Sequence, residues 1–390
     1  MRKRMKFVLC ILMAAAVAVS SGCAQARELN DLVIVMGIGM DVDPNAPDNV
    51  LMVAQIVQPQ KISSGSDSSG SNDKAFVNMT SSAEDTFEAV RKYTHIVTGK
   101  LYISHNQIII FGRDFAERGI SRALDFFVRA KETRPTIKLI VADTTAKELL
   151  DEQPELNMMP AIYIDKLIEA QENNAQAETT DLIDYINAMQ SKTLSLVLPI
   201  VKIEQNGENK VQKVDGMAVF KQDRMVGELT QPETRGLLWV NGQISGGLVN
   251  VSVDDGLASL EIMEASSKTE PVISEDGKVT IRVNISTKLR LAEQTCSTNL
   301  STQENLSVLE DLVVQTIISK IEMAFAKAKA LNADVFGFGE LIHKHRNDVW
   351  TEMEPRWEEI FPTIALEVKV NASVISVGSI EEPAWDKEGE

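Results

Sequence analysis

"VTIRVNISTKLRL", residues 279–291, sets Val279, Ile281, Val283, Ile285, Leu289 and Leu291 against Thr280, Arg282, Asn284, Ser286, Lys288 and Arg290. Side chains alternate across a strand, so one face of this stretch is buried and the other meets water, as in an antiparallel sheet. The next periodic stretch, 306–329, carries Leu309, Leu312, Val313, Ile317, Ile321, Ala324, Phe325 and Ala328 on one stripe, which predicts a long amphipathic helix. Near the end "TIALEVKVNASVIS" returns to period two, with Ile364, Leu366, Val368 and Val370 on one face. A one-faced sheet and a one-striped helix bury each other when crossed. The expectation is an α+β C-terminal domain over 211–380, an antiparallel sheet packed by the long helix, followed by an acidic tail at 381–390.

Upstream the pattern is α/β. "DLVIVMGIGMDVD" (31–43) and "NVLMVAQIVQP" (49–59) read as neighbouring strands joined by "DPNAPD", and the Ser/Gly-rich "KISSGSDSSGSND" (61–73) as a loop. "SSAEDTFEAVRKYTHIV" opens with cap residues and puts Phe87, Val90 and Tyr93 at helical spacing. A strand "LYISHNQIIIFG" (101–112), a helix "DFAERGISRALDFFVRAKET", a strand "TIKLIVAD" (136–143) and a short helix "TTAKELLDEQ" complete a domain at 23–150. Residues 151–210 form a middle segment or second domain. It holds a helical pair within 161–190, split by "QENNAQAETT", and a strand at 194–204, and it ends at the turn "NGEN" or takes in 211–260 as well. Beyond the turn come a hairpin, "KVDGMAVFKQDRMVGELT", and a short helix, "QPETRGLLWV".

The N-terminus is a leader. "MRKRMK" and the thirteen-residue apolar "FVLCILMAAAVAV" have the build of an export signal over 1–22. In a helix this run rises about 20 Å, short of the roughly 30 Å hydrocarbon core, so it is no permanent span. Two cuts are open. One precedes Cys23 after "SSG", where Ser20 replaces the usual aliphatic residue of a lipobox; the other follows "AQA", Ala24–Ala26. The first leaves a thiol to carry lipid, with about 0.8 kcal/mol of anchoring per buried methylene, and the second leaves a soluble chain starting at Arg27.

Composition narrows the function. The 390 residues carry a net charge of −17, and losing the leader removes four bases and no acids, taking it to −21. That repels nucleic acid and anionic lipid. Of three cysteines, Cys10 and Cys23 lie in or beside the leader, so Cys296 has no intramolecular disulfide partner and reads as structural. His343 and His345, two apart on a helix, point roughly 200° from each other and share no metal. Gly37 and Gly39 lack the third glycine of a dinucleotide site, and Asp41 and Asp43 read as a solvated turn and not a calcium site. No G-x-S-x-G, P-loop or H-E-x-x-H occurs, and few aromatics are present to line a sugar cleft. No catalytic, metal or cofactor residue is assigned.

Several stretches resemble one family. "RELNDLVIVMGIGMDVD", "GKLYISHNQIIIFGRDFAERGISRALDFFVRAKETRPTIKLIVAD", "VDGMAVFKQDRMVGELTQPETRGLLWVNGQI" and "NADVFGFGELIHKHRNDVWTEMEPRWEEIFPTIALEVKVNASVISVGSI" occur in the order found in the Ger(x)C lipoproteins, the C subunits of spore germinant receptors. Asp334, Phe336, Gly337, Phe338, Gly339, Trp357, Phe361 and Pro362 stand at the places of that family's C-terminal signature. The resemblance implies a three-domain mixed α/β fold. It further implies diacylglycerol on Cys23 and a place on the outer face of the spore inner membrane, beside an A-type and a transporter-like B-type membrane subunit. The signature glycines predict a tight backbone feature that plants both Phe rings in the core, and Trp357 and Phe361 share a helical face. The function expected is a non-enzymatic receptor subunit; the alternative is a solute-binding lipoprotein that captures a small germinant directly.

Overall fold

The computed structural model describes residues 32–59, 61, 74–154, 158–254 and 256–376, together with Met5 and Phe7. Cys23, the two candidate cleavage points, nearly all of the Ser/Gly-rich loop and the tail at 381–390 lie outside the described residues.

Among the described residues the first sheet has nine strands in the order β3-β2-β1-β5-β6-β7-β8-β9, with β4 also paired to β1. β1 (Leu32–Asp43), β2 (Ala46–Val57) and β3 (Phe76–Ala83) form an antiparallel meander. β5 (Ile108–Gly112), β6 (Lys138–Ala142) and β7 (Val197–Asn206) then run parallel to β1, and β8 (Asn209–Lys221) and β9 (Arg224–Leu229) return antiparallel. The central strands are apolar on both faces because helices cover both. Ile109 and Phe111 point into the core under α1 (Thr86–Lys92), α2 (Arg113–Arg118) and α3 (Ser121–Arg129). Ile108 and Ile110 point the other way, under α4 (Ala146–Asp151) and α5 (Pro160–Asn174), while α6 (Leu182–Gln190) joins the first face.

The Gly37/Gly39 pair owes its composition to this packing. A Cβ on Gly37 would stand 2.5 Å from the Cβ of Ala161, and one on Gly39 2.9 Å from that of Ala146. The glycines let α4 and α5 lie directly on β1.

Several elements differ from the pattern expected of them. The strand at 101–112 is two: β4 (Lys100–Tyr102) and β5 are separated by a 3₁₀ turn, and each pairs with β1 at a different end. The helix from 114 to 133 is broken at Gly119 into α2 and α3. On α1 the buried residues are Thr86 and Ala89, with Tyr93 just beyond, whereas Phe87 is 53% exposed. The "NGEN" turn lies inside the first sheet as the β7–β8 hairpin, Asn206 opposite Asn209, so the middle segment contributes α5, α6 and β7 to the same sheet.

The second sheet has the order β10-β11-β12-β13. β10 (Leu248–Val253), β11 (Gly256–Ile273) and β12 (Val279–Gln294) are antiparallel, and β12 buries the six apolar residues of the 279–291 stretch while Arg282, Asn284, Ser286, Lys288 and Arg290 are exposed. The last strand, β13 (Ala365–Ser376), departs from the antiparallel expectation: it runs parallel to β12, Thr280 opposite Ala365. The chain crosses back along α8 (Gln303–Leu331) between the two, and a crossover of that kind delivers a parallel neighbour. α8 buries Leu309, Val313, Ile317, Ile321, Ala324, Phe325 and Ala328. α7 (Gln231–Asn241) packs on α8 and touches both sheets, and its Trp239 is fully buried in an apolar core continuous from β5 to β12.

Candidate functional site

The signature residues assemble where α8 ends. Asp334 is 2% exposed; its carboxylate accepts hydrogen bonds from the Phe338 N–H at 2.9 Å and the Gly339 N–H at 2.8 Å, capping α9 (Phe338–His345). Burial pushes this carboxyl up to about 6, against the pull of those backbone donors. Gly337 has φ +69°, a conformation that costs a side-chain-bearing residue energy, and it turns the chain so that Phe336 and Phe338 stack at 5.0 Å with planes 8° apart. Both rings meet Phe325 of α8 edge-on at 6.1 Å. Trp350 of α10 (Asn347–Met353) packs against Trp357 of α11 (Trp357–Ile360) at 5.3 Å, and Trp357 against Phe361 at 6.0 Å.

This knot also holds the first sheet. The Asp334 carbonyl accepts from the Ser195 N–H at 3.1 Å, and a Cβ on Gly339 would stand 2.5 Å from Thr193 Oγ1. Around it Ser191 Oγ donates to Glu340 at 2.6 Å, Lys192 pairs with Glu354 at 2.9 Å and Lys221 with Glu358 at 3.0 Å. The exposed ion pairs contribute little; the buried rings and the capped turn carry the joint. What the arrangement does chemically is mechanical: it clasps the segment leading into β7 against the C-terminal region.

Asp41, expected in a solvated turn, is instead buried. It accepts from the Ala146 and Lys147 N–H groups at 2.8 and 2.9 Å and so caps α4; burial raises its pKa. Asp43 is buried too and accepts from the Asn45 N–H across the β1–β2 turn. His343 stacks on Trp350, and His345 Nδ1 donates to the Leu341 carbonyl. No group of three or more His, Cys, Asp or Glu among the described residues is placed to hold a metal. Cys296 is fully buried.

A surface groove carries almost no signal in the sequence. It runs between α1, α3 and β4, encloses about 650 Å³, and is floored by Phe87, Val90, Leu101, Ile103 and Phe126. Phe87 and Phe126 meet at 6.0 Å, and the Arg91 guanidinium lies over the Phe87 ring at 5.0 Å. Its one trace in the sequence is Phe87, whose helical spacing reads as core-facing.

Comparison with known families divides the chain in two. Residues 25–203 match the family described as "Spore germination protein N-terminal domain", and residues 215–378 match "Spore germination B3/ GerAC like, C-terminal". This chain belongs to the Ger(x)C family. Ger(x)C relatives in Bacillus subtilis (strain 168) include spore germination protein KC, 25% identical with 97% of each chain covered, and spore germination protein B3, 24% identical over 92% of this chain and 95% of that one. A solved structure, "Crystal Structure of the GerBC protein", superposes with a TM-score of 0.58 at 18% identity, covering 87% of this chain and 97% of its own. That likeness concerns the fold.

Proposed function

We propose that this chain is an exported C subunit of a spore nutrient germinant receptor, anchored by lipid on Cys23, which acts without catalysis through contacts with A-type and B-type membrane subunits. The observation that carries this reading is the pair of family matches, 25–203 and 215–378, in one chain whose relatives are named spore germination proteins. No helix among the described residues is long and apolar enough to cross a membrane. A lipid on Cys23 supplies a membrane attachment, and confinement to the membrane plane raises the effective concentration of the subunit so that modest interfaces suffice.

The position of β1 adds a direction. Its first residues pair with β4, Leu32 opposite Lys100, and Lys100 borders the α1–α3 groove. The segment 23–31 spans at most about 30 Å when extended, so an anchored Cys23 keeps Leu32, beside β4, within about that distance of the bilayer. Membrane partners therefore meet this end first.

The test is Cys23→Ala in a sporulating Gram-positive host. The wild-type product partitions into detergent with a diacylglycerol mass on Cys23, and the variant partitions into the aqueous phase and slows germination while folding normally. An undiminished germination response from the variant overturns the reading.

A further inference from the structure

We infer that the open cleft between α5, α7, β10 and α8 binds a small oxyanion, a carboxylate or a phosphate. The cleft holds about 430 Å³ and is lined by Asn174, Gln176, Gln231, Arg235, Asn250 and Lys320, two cations and four amides with no acid among them. Arg235 is 6% exposed. Its Nη1 donates to the Asn174 carbonyl at 3.3 Å, at the C-terminal end of α5, but its buried Nε and Nη2 have no acceptor among the described residues. Lys320 stands beside it on α8. Burial alone lowers Arg235, and burial followed by repulsion from Arg235 brings the Lys320 ammonium down to about 8; no carboxylate among the described residues opposes either effect.

The fold goes to some length to bring these cations together. A Cβ on Gly236 would stand 2.0 Å from the Lys320 carbonyl oxygen and 2.9 Å from the Ala324 Cβ, so the glycine lets α7 press against α8 and carries Arg235 to Lys320. On the other side a Cβ on Gly247, at φ +98°, would sit 2.6 Å from the Asn174 carbonyl oxygen and 3.4 Å from Arg235 Nη1. A buried guanidinium with two unused donors, beside the partly exposed ammonium of Lys320, is destabilising while the pocket is empty. An oxyanion accepts from both, with the planar guanidinium suited to a pair of oxygens and the amides to the remainder. Asn174 and Gln176 lie in the N-terminal family half, and Arg235, Asn250 and Lys320 in the C-terminal half. A bound anion therefore ties the halves together. This inference goes beyond the receptor assignment and does not rest on it.

The experiment is thermal unfolding of the full chain in detergent solution, titrated with sodium phosphate or sodium acetate at an ionic strength held constant with chloride. The expected result is a saturable rise in Tm with one of the two anions, since a ligand of the native state stabilises by mass action. Which anion saturates separates a phosphate site from a carboxylate site. Lys320→Met is expected to fold, to melt no lower than wild type without anion because a repulsive charge is gone, and to need at least about tenfold more anion for the same shift. Arg235→Lys, which loses the fork, weakens the response similarly. Three results overturn the inference: no shift, a non-saturating shift equal in wild type and Lys320→Met, or a Lys320→Met protein that melts below wild type in the absence of anion.

Discussion

Asp334 shows how one side chain fixes a joint. Its two oxygens serve two backbone donors, and Asp334→Asn leaves a single acceptor while turning an NH₂ group towards a backbone N–H. The expected cost is about 2–3 kcal/mol, read from urea midpoints. The pH dependence has a definite sign. With a folded-state pKa of about 6 against 3.8 for the free group, the native carboxyl takes its proton first as pH falls. Stabilisation from this group is full below about 4 and lost as pH rises through 6. Asp334→Asn lacks that term, so its deficit against wild type widens between pH 7 and pH 4. Neither Asp334 nor Asp41 disclosed its role locally. Asp334 stood out through family resemblance, and Asp41 looked like a turn residue because the helix it caps begins 105 positions later.

Elements with self-contained periodicity were legible. β12 and α8 announce themselves because strict alternation or a clean stripe is decided within the element. Ile317→Ala, in the middle of the buried stripe, is expected to cost about 2–5 kcal/mol, and Glu322→Ala on the exposed face less than about 0.5, both by chemical denaturation. Partners in space were not legible. The parallel placement of β13 depends on where α8 takes the chain, and the apolar run through Ile103 concealed the turn between β4 and β5. Phe87 has helical spacing but faces the groove. If that groove meets a membrane partner, Phe87→Ser leaves unfolding midpoints near wild type, since the ring is already half in water, and slows germination. Spore outgrowth assays alongside melting curves check both halves of that expectation.

At the scale of the molecule, the continuous apolar core from β5 to β12 predicts cooperative unfolding of both sheets. The aromatics provide separate reporters. All four tyrosines fall at or before Tyr185, and the tryptophans among the described residues are Trp239, Trp350 and Trp357. Tyrosine and tryptophan signals are expected to lose structure at one temperature; two separated transitions would show the sheets melting independently. The sequence offered no guide to this coupling, because "NGEN" serves a hairpin inside a sheet as well as it would serve a seam between domains. The parallel register of β13 bears on the order in which the molecule is completed. Arg282 and its partner Glu367 are 85 positions apart, and a ribosome delivers the N-terminal end first. β12 therefore waits, one edge unpaired, while the crossover helix and the aromatic knot are still being synthesised. β13, the last of the described strands, closes the sheet as it emerges, so a nascent chain stalled before Ala365 leaves that edge of β12 unpaired.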